Sequence, residues 1–310
     1  MKVVWLLLLC ATCAQAGSPL SQADAAAWLQ KMADASRHLS YEGVFVMRQG
    51  DTMQTLSVSN RPTAQGYESL LTALDGSQRE VRCSQSGAVT VMADGSQIKV
   101  EKRLNHRHFP VLLPANPLPL LNWYEVRLGD TARVAGLDCR NVEMQPRDAF
   151  RWGYVLCAEK DSGLPLKAMV VNGSSQPLMQ SAFAEVKLGA APRLGAAPAL
   201  PAMPETARQV ETEQVVAKNL PPGFTRIAAV IRHLPNMQGE VEHWVFSDGL
   251  THISLFLTPA HKPVETVKGE STHGMVNLMR RQVGDFQATV LGDAPWPAVE
   301  AIALGLEPKK

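Results

Sequence analysis

Residues 136–167 read GLDCRNVEMQPRDAFRWGYVLCAEKDSGLPLK, and this stretch decides the fold. Two runs in which apolar and polar residues alternate flank a polar loop at 145–148, a pattern typical of a half-buried antiparallel hairpin. Folding the stretch about Asp148 predicts the strand register, because a slip of one residue would turn the aromatic face over. The predicted opposed pairs are Met144 with Trp152, Val142 with Tyr154, Arg140 with Leu156, and Cys139 with Cys157.

The same register places two cysteines side by side. Directly opposed residues of antiparallel strands have Cα atoms about 4.5 to 5.5 Å apart, a separation that a disulfide can span. We therefore predict a disulfide between Cys139 and Cys157, with Cys83 left unpaired. The alternative is three unrelated buried thiols, because cysteine also suits apolar core positions.

Residues 1–16 have the features of a secretory signal peptide. A basic residue precedes an apolar run, and the segment ends in AQA, a small-x-small pattern, so we expect cleavage near Ala16. Two of the five cysteines would leave with this segment, and the residues before them do not fit lipid attachment. No other apolar run reaches the roughly 20 residues needed to span a bilayer. We expect a soluble exported protein in a compartment where disulfides persist.

The remaining chain is long enough for two ordinary domains and is nearly neutral. Over the full sequence Lys plus Arg total 30 against 29 for Asp plus Glu, so the basic excess of a nucleic-acid-binding groove is missing. The charge balance gives no reason to expect a nucleic-acid partner.

The first domain is predicted to contain one helix and many antiparallel strands. Ser21 is the expected N-cap of a helix at 21–39, and turn pairs such as Asp75-Gly76 separate the alternating runs that follow. This pattern favours a strongly curved antiparallel sheet, or half-open barrel, wrapped on the helix. Strands are predicted at 41–49, 52–60, 67–74, 79–83, 89–92, 97–103, 123–128, 166–171 and 178–186, in addition to the hairpin.

A proline-rich apolar segment, residues 104–122, interrupts this series. Proline keeps such a segment out of a sheet, so its apolar side chains must be buried or must cover something. One interpretation is a lid over the open end of the curved sheet, and the other is a packed connection without a ligand.

Beyond residue 188 the composition changes to Gly, Ala and Pro, which is typical of a linker, and a smaller α+β domain begins near Gln209. Its strands are predicted at 224–233, 241–247, 251–257, 275–283 and 286–291, with a final helix from Pro297.

No catalytic pattern is present: the sequence has no G-x-S-x-G elbow, phosphate-binding glycine loop or H-E-x-x-H pair. His243 and His252 fall on facing strands, but no third metal ligand is evident, so packed or solvated histidines are the simpler interpretation. We predict no enzyme activity, no cofactor and no metal. Large aromatic and methionine side chains are the remaining functional candidates, because they suit acyl chains or a partner's apolar groups, although they also suit an ordinary core.

Several motifs resemble the RseB/MucB family of periplasmic sigma-E regulatory proteins. They are GLDCRNVEMQ and PRDAFRWGYVLCAEKDSGLPLK in the opening stretch, LPPGF at 220–224, VFSDGL at 245–250 followed by ISLFL, and ATVLGDAP at 288–295. Each motif alone is weak, but together they are specific and span the chain.

The resemblance implies a lipoprotein-carrier-like half-open β-barrel wrapped on helices, a linker and a smaller C-terminal α+β domain. The segments would be a signal peptide at 1–16, a lipid-sensing domain at 17–187, a linker at 188–208 and an anti-sigma-binding domain at 209–310. The implied function is a periplasmic negative regulator that binds the periplasmic domain of an RseA/MucA-type anti-sigma factor, protects it from site-1 proteolysis under stress, and is released by lipid or lipopolysaccharide.

Two sets of residues are assigned to this function as expectations. Acyl chains are expected against Phe45, Met47, Trp123, Met144, Trp152 and Tyr154, and the anti-sigma factor near Ser247, Asp248 and His252. An exposed apolar groove would also allow a homodimer. The alternative function is a periplasmic lipoprotein or lipid carrier, which would share the first domain and hand its cargo to a membrane acceptor.

Overall fold

The structure is a computed structural model that contains two large antiparallel sheets, each with a helix packed against it, and a separate two-stranded sheet. It describes residues 18–84, 87–94, 97–103, 108–190, 192, 194, 208–210, 213–233, 239–270 and 275–309, with the backbone alone for 87–94, 97–103 and 270. The predicted signal peptide and most of the predicted linker lie outside these residues. Within them, no helix has the length and apolar character needed to cross a lipid bilayer.

The first helix, α1 (Gln22–His38), begins where the sequence predicts, since the Ser21 hydroxyl accepts a hydrogen bond from the Asp24 backbone N–H at 3.1 Å. Eleven strands and a short 3-10 helix, Leu118–Asn122, accompany it. The strands are β1 (Tyr41–Gln49), β2 (Thr52–Thr63), β3 (Gly66–Ala73), β4 (Arg79–Ser84), β5 (Gly87–Asp94), β6 (Gln97–Arg103), β7 (Tyr124–Val134), β8 (Leu137–Pro146), β9 (Gly153–Glu159), β10 (Pro165–Val171) and β11 (Pro177–Leu188).

These strands form one sheet with the order β6-β5-β4-β3-β2-β1-β11-β10-β9-β8-β7. Helix α1 lies in its concavity and contacts β2, β3 and β10, so strands from both halves of the sheet curve toward the helix. The apolar residues of α1 face a single core, in which Leu29 and Met32 are fully buried. Next to β7, residues 18–20 cover part of the sheet edge through a hydrogen bond of 3.0 Å from Leu20 N–H to the Val126 carbonyl.

The predicted register of the central hairpin is wrong by two residues. Met144 pairs with Tyr154, and Val142 with Leu156. The predicted turn about Asp148 is in fact a six-residue loop, 147–152, between β8 and β9. A shift of two residues keeps every side chain on its expected face, because strand side chains alternate with a period of two. Val142, Met144 and Leu156 of the predicted apolar face are buried, but burial is not confined to that face, because Cys139 and Cys157 on the other face are buried too.

Cys139 and Cys157 form a disulfide in the structure, with Cα atoms 5.4 Å apart. They are diagonal neighbours and not the directly opposed pair that the sequence register predicted, because Cys139 pairs with Glu159 and Cys157 with Asn141. The bond closes a hairpin across a sequence separation of 18 residues. Cys83, on β4, is a buried free thiol.

The second domain is a seven-stranded sheet with the order β12-β14-β15-β16-β19-β18-β17, on which α2 (Trp296–Leu304) packs. Two short strands, β13 and β20, pair separately near α2. The bounds are β12 (Arg208–Gln209), β13 (Val215–Ala217), β14 (Thr225–His233), β15 (Glu240–Ser247), β16 (His252–Pro259), β17 (Val267–Glu270), β18 (Asn277–Val283), β19 (Phe286–Gly292) and β20 (Leu306–Pro308). The sequence predicted the five long strands and the helix, but not β12, β13, β17 or β20.

Candidate functional site

The interior of the curved sheet is filled by part of the proline-rich segment. Phe109 lies between Phe45 of β1 and Phe183 of β11, with ring centroids 5.0 Å and 4.9 Å away. Phe109, Val111 and Leu113 are all buried in the same core. The segment therefore plugs the space that a lid would cover, and we call residues 109–113 the plug.

A buried arginine ties the plug to the helix. The Arg37 guanidinium donates one hydrogen bond to the Leu113 carbonyl and one to the Ala33 carbonyl at 2.8 Å. Burial lowers the pKa of Arg37, and the nearby Tyr67, Asp34 and Tyr41 oppose that shift. The plug is thus held by apolar packing and by a side-chain contact from α1.

The six residues expected to contact lipid do not line one open cavity in the described structure. Phe45 and Met144 are part of the packed core, and Met47, Trp123 and Tyr154 pack partly buried against it. Trp152 is half-buried in the loop between β8 and β9. These assignments stay predictions, and an acyl chain at this place would have to displace the plug.

A cavity of about 330 Å³ lies elsewhere in the first domain, between the start of α1, the 3-10 helix and β7. Its lining includes Leu20, Ala25, Leu121, Tyr124 and Arg147. None of the six residues expected to contact lipid lines it.

A buried charged cluster joins the two domains. Arg151, in the loop after β8, has a fully buried side chain whose Nε lies 3.2 Å from Oδ1 of Asp148 in its own domain. Its Nη1 lies 3.6 Å from Oδ2 of Asp248, which belongs to the turn between β15 and β16. Its Nη2 donates to the carbonyl of Pro222, also in the second domain. One guanidinium therefore meets groups from both sides of the interface.

Aromatic rings from both domains flank this guanidinium. The Arg151 Cζ lies 5.0 Å from the ring centroid of Trp123 and 5.6 Å from that of Phe224, both within cation–π distance. Trp123 also contacts the second-domain backbone closely, since a Cβ added to Gly223 would lie 2.6 Å from its Cε2 atom. The positive φ of Gly223, +81°, likewise favours glycine at this position.

Each domain also contributes an apolar side chain to the other. Leu250, from the turn after β15, belongs to the core of the first domain. Phe150, from the loop after β8, packs against the core of the second. The Tyr124 hydroxyl holds the loop after β8 by donating a hydrogen bond to the Trp152 carbonyl at 3.1 Å. Burial raises the pKa of this phenol well above its usual value.

Two of the three residues expected to contact the anti-sigma factor lie in this interface. Ser247 and Asp248 are buried, and they shape the turn by accepting backbone hydrogen bonds: Ser247 Oγ from Gly249 at 3.0 Å, and Asp248 Oδ1 from Leu250 at 2.9 Å and Thr251 at 2.8 Å. His252 is half-buried at the start of β16. The sequence singled out this turn but missed Arg151, Phe150 and Phe224, because nothing local shows that the hairpin loop meets the second domain.

The histidine pair considered as a metal site does not form one among the described residues, where no cluster of three or more His, Cys, Asp or Glu side chains could hold a metal ion. His243 stacks on Phe256 with ring centroids 4.4 Å apart, and its Nε2 lies 3.0 Å from Ser254 Oγ. Burial and, to a smaller extent, Arg232 lower its pKa to about 4. His243 is therefore a packed neutral side chain.

Comparison with known protein families identifies the two domains of this chain. Residues 24–216 match the MucB/RseB N-terminal domain, and residues 209–307 match the MucB/RseB C-terminal domain. The chain belongs to the MucB/RseB family. Both characteristic domains are present in the family's order, so the resemblance of the sequence motifs is confirmed.

Relatives in the MucB/RseB family align along nearly the whole chain. The sigma factor AlgU regulatory protein MucB of Pseudomonas aeruginosa is 30% identical over 94% of this chain and 93% of its own length. The sigma-E factor regulatory protein RseB of Escherichia coli is 24% identical over 98% of this chain and 97% of its own. These relatives are regulatory proteins by name.

Solved structures of MucB share the fold. A Pseudomonas aeruginosa MucA/MucB complex gives a TM-score of 0.75 at 28% identity, covering 93% of this chain and 99% of that one. MucB in complex with MucA(peri) gives 0.74 at 29% identity over 93% and 99%. A crystal structure of MucB gives 0.67 at 27% identity over 94% and 100%. The α+β fold predicted from the sequence is therefore confirmed.

Proposed function

We propose that this protein is a periplasmic negative regulator of an envelope-stress sigma factor, and that it acts by binding the periplasmic domain of a MucA-type anti-sigma factor. The observation that carries the proposal is the match to both family domains along nearly the whole chain, together with relatives crystallised with MucA.

Binding would shield the anti-sigma factor from the protease that begins its degradation under stress. The partner surface is proposed to lie on the second domain around the turn between β15 and β16, with His252 at its accessible edge. Ser247 and Asp248 would act there by fixing the shape of the turn, because their oxygens accept its backbone N–H groups. A homodimer stays a prediction, and its formation would be measured by the molar mass in solution.

Lipid or lipopolysaccharide would release the partner by binding in the first domain. The proposed acyl site is the sheet interior, where Phe45 and Phe183 hold Phe109. Because this interior is packed, an acyl chain has to take the place of the plug. A ligand that prefers the opened interior shifts the protein toward that state by its differential affinity for the two states.

The test is a protection assay. The purified protein is incubated with the anti-sigma periplasmic domain and its stress-activated protease, with and without lipopolysaccharide. We expect slow cleavage in the lipid-free tube and faster cleavage when lipid is added. Cleavage at the same rate with and without the protein would refute the regulatory function, whereas transfer of lipid to a membrane acceptor without any protection would indicate a carrier.

A further inference from the structure

We propose that Arg151 is a clasp that holds the two domains in the arrangement that binds the partner, and that opening this clasp weakens partner binding. The effect on partner binding rests on the proposed function, whereas the contact between the two domains does not. Its residues are Arg151 and Asp148 on the first domain and Pro222 and Asp248 on the second.

Burial is the first reason to regard this contact as a clasp. The side chains of Arg151 and Asp248 are both 0% exposed, so this ion pair exists only while the domains are closed. Replacing one partner while the domains stay closed leaves the other charge buried and unpaired, which costs much more than the same change in an exposed pair. Exposed pairs such as Arg61 with Glu68, at 48% and 47% exposure, lack this property.

The geometry of the pair is the second reason, because it suits a contact that opens. Arg151 Nη1 and Asp248 Oδ2 are 3.6 Å apart, and neither atom has a hydrogen-bond partner among the residues that the structure describes. A buried polar network that is only partly satisfied contributes less stability than a complete one. The ion pair therefore favours one arrangement of the domains but leaves them able to separate.

The comparison structures share the fold in which the clasp lies. This structure has TM-scores of 0.75 and 0.74 with the two MucA complexes and 0.67 with the structure of MucB. That the clasped arrangement is the partner-binding state is part of the proposal, and the partner affinity of the clasp variants tests it.

Two substitutions open the clasp by different physics. Asp248→Asn keeps the Oδ1 acceptor for Leu250 and Thr251, and so keeps the turn, but it turns an amide group toward the guanidinium. Gly223→Ala places a methyl group 2.6 Å from Trp123 and wedges the domains apart. Gly239→Ala is the matched control, since Gly239 has a similar φ of +86° but, among the described residues, no atom within 4 Å of the added Cβ.

The readout is the distance between spin labels on cysteines that replace Met53 and Leu304, exposed residues on the first and second domains. We expect one narrow distance distribution for the parent protein and for Gly239→Ala, and a broader or shifted one for Asp248→Asn and Gly223→Ala. Unchanged distributions in both clasp variants would overturn the clasp.

Partner affinity is then measured with the periplasmic domain of the cognate MucA-type anti-sigma factor. We expect both clasp variants to bind about 5- to 150-fold more weakly, the usual range for coupled sites. Opened domains with unchanged affinity would overturn the coupling. If the parent protein does not bind this domain at all, the proposed function fails and the coupling with it, while the distance measurement still decides the clasp.

Discussion

The Phe109→Ala variant tests whether Phe109 fills the proposed lipid site, and must be displaced by lipid, or forms part of the wall that lipid contacts. Phe109 is 5% exposed and contacts two aromatic rings at 5.0 Å and 4.9 Å. Truncating a buried phenylalanine costs about 3 to 5 kcal/mol of stability. Of this, each aromatic pair contributes about 0.5 to 1.5 kcal/mol beyond burial, so two lost pairs weaken the closed interior by about 1 to 3 kcal/mol.

The expected sign of the binding change follows from this loss. An acyl chain that must displace Phe109 binds with an affinity reduced by the cost of opening the interior, so lowering that cost raises the apparent affinity. A loss of about 1 to 3 kcal/mol corresponds to an increase of about 5- to 150-fold. We expect Phe109→Ala to be less stable toward denaturant and to bind a fluorescent acyl probe more tightly.

The control for this variant is Phe246→Ala, which truncates a fully buried phenylalanine in the second domain. It should lower stability without raising acyl affinity. Weaker probe binding in a folded Phe109→Ala variant would show that Phe109 is a wall of the site. Unchanged binding would show that the acyl site lies elsewhere, and either result would refute the proposed displacement.

Three further predictions concern stability and the lipid site. Replacing Cys139 and Cys157 with serine should lower the free energy of unfolding by about 3 kcal/mol, the value for a closed loop of this length. Denaturant titration measures this change, and reductant should not lower the stability of the variant further. His243 has a pKa of about 4 in the folded protein, below the ordinary histidine value of 6.5, so the unfolded chain takes up its proton first as the pH falls. Stability should therefore decline by up to about 3 kcal/mol between pH 6.5 and 4, and less in a His243→Gln variant, as thermal unfolding across that range would show. Trp152→Ala should reduce the lipid response and leave partner binding intact, and a collapse of the fold would identify Trp152 as a core residue.

Local features of the chain were predictable where a few neighbouring residues determine them. The Ser21 cap and the Asp75-Gly76 turn depend on hydrogen bonds and backbone preferences within one or two turns, so the sequence predicted the elements around them. The alternation of 136–159 also predicted the buried side chains of Val142, Met144 and Leu156, but not the continuous burial of 156–159 at the end of β9. The strand partners were wrong because Arg151 and Trp152 do not continue the hairpin: they belong to a loop that the second domain holds.

The candidate site depends on contacts between residues far apart in sequence. Phe109 reaches the interior between β1 and β11, and Arg151 meets Asp248 across the interface. A proline-rich apolar segment shows that burial is needed but not where it occurs. The sequence therefore identified the aromatic residues and the turn at 247–252, whereas their packing required the tertiary structure.

The loop 147–152 has a consequence for work with separated domains. It belongs by sequence to the first domain, yet Phe150 reaches the second core and Leu250 reaches back into the first. Cutting the chain between the domains would expose the apolar surface that each domain buries against the other. It would also separate Arg151 from its carboxylate partner Asp248. Isolated halves are then expected to self-associate more than the intact chain, and an interaction seen with one half alone needs to be repeated with the whole protein.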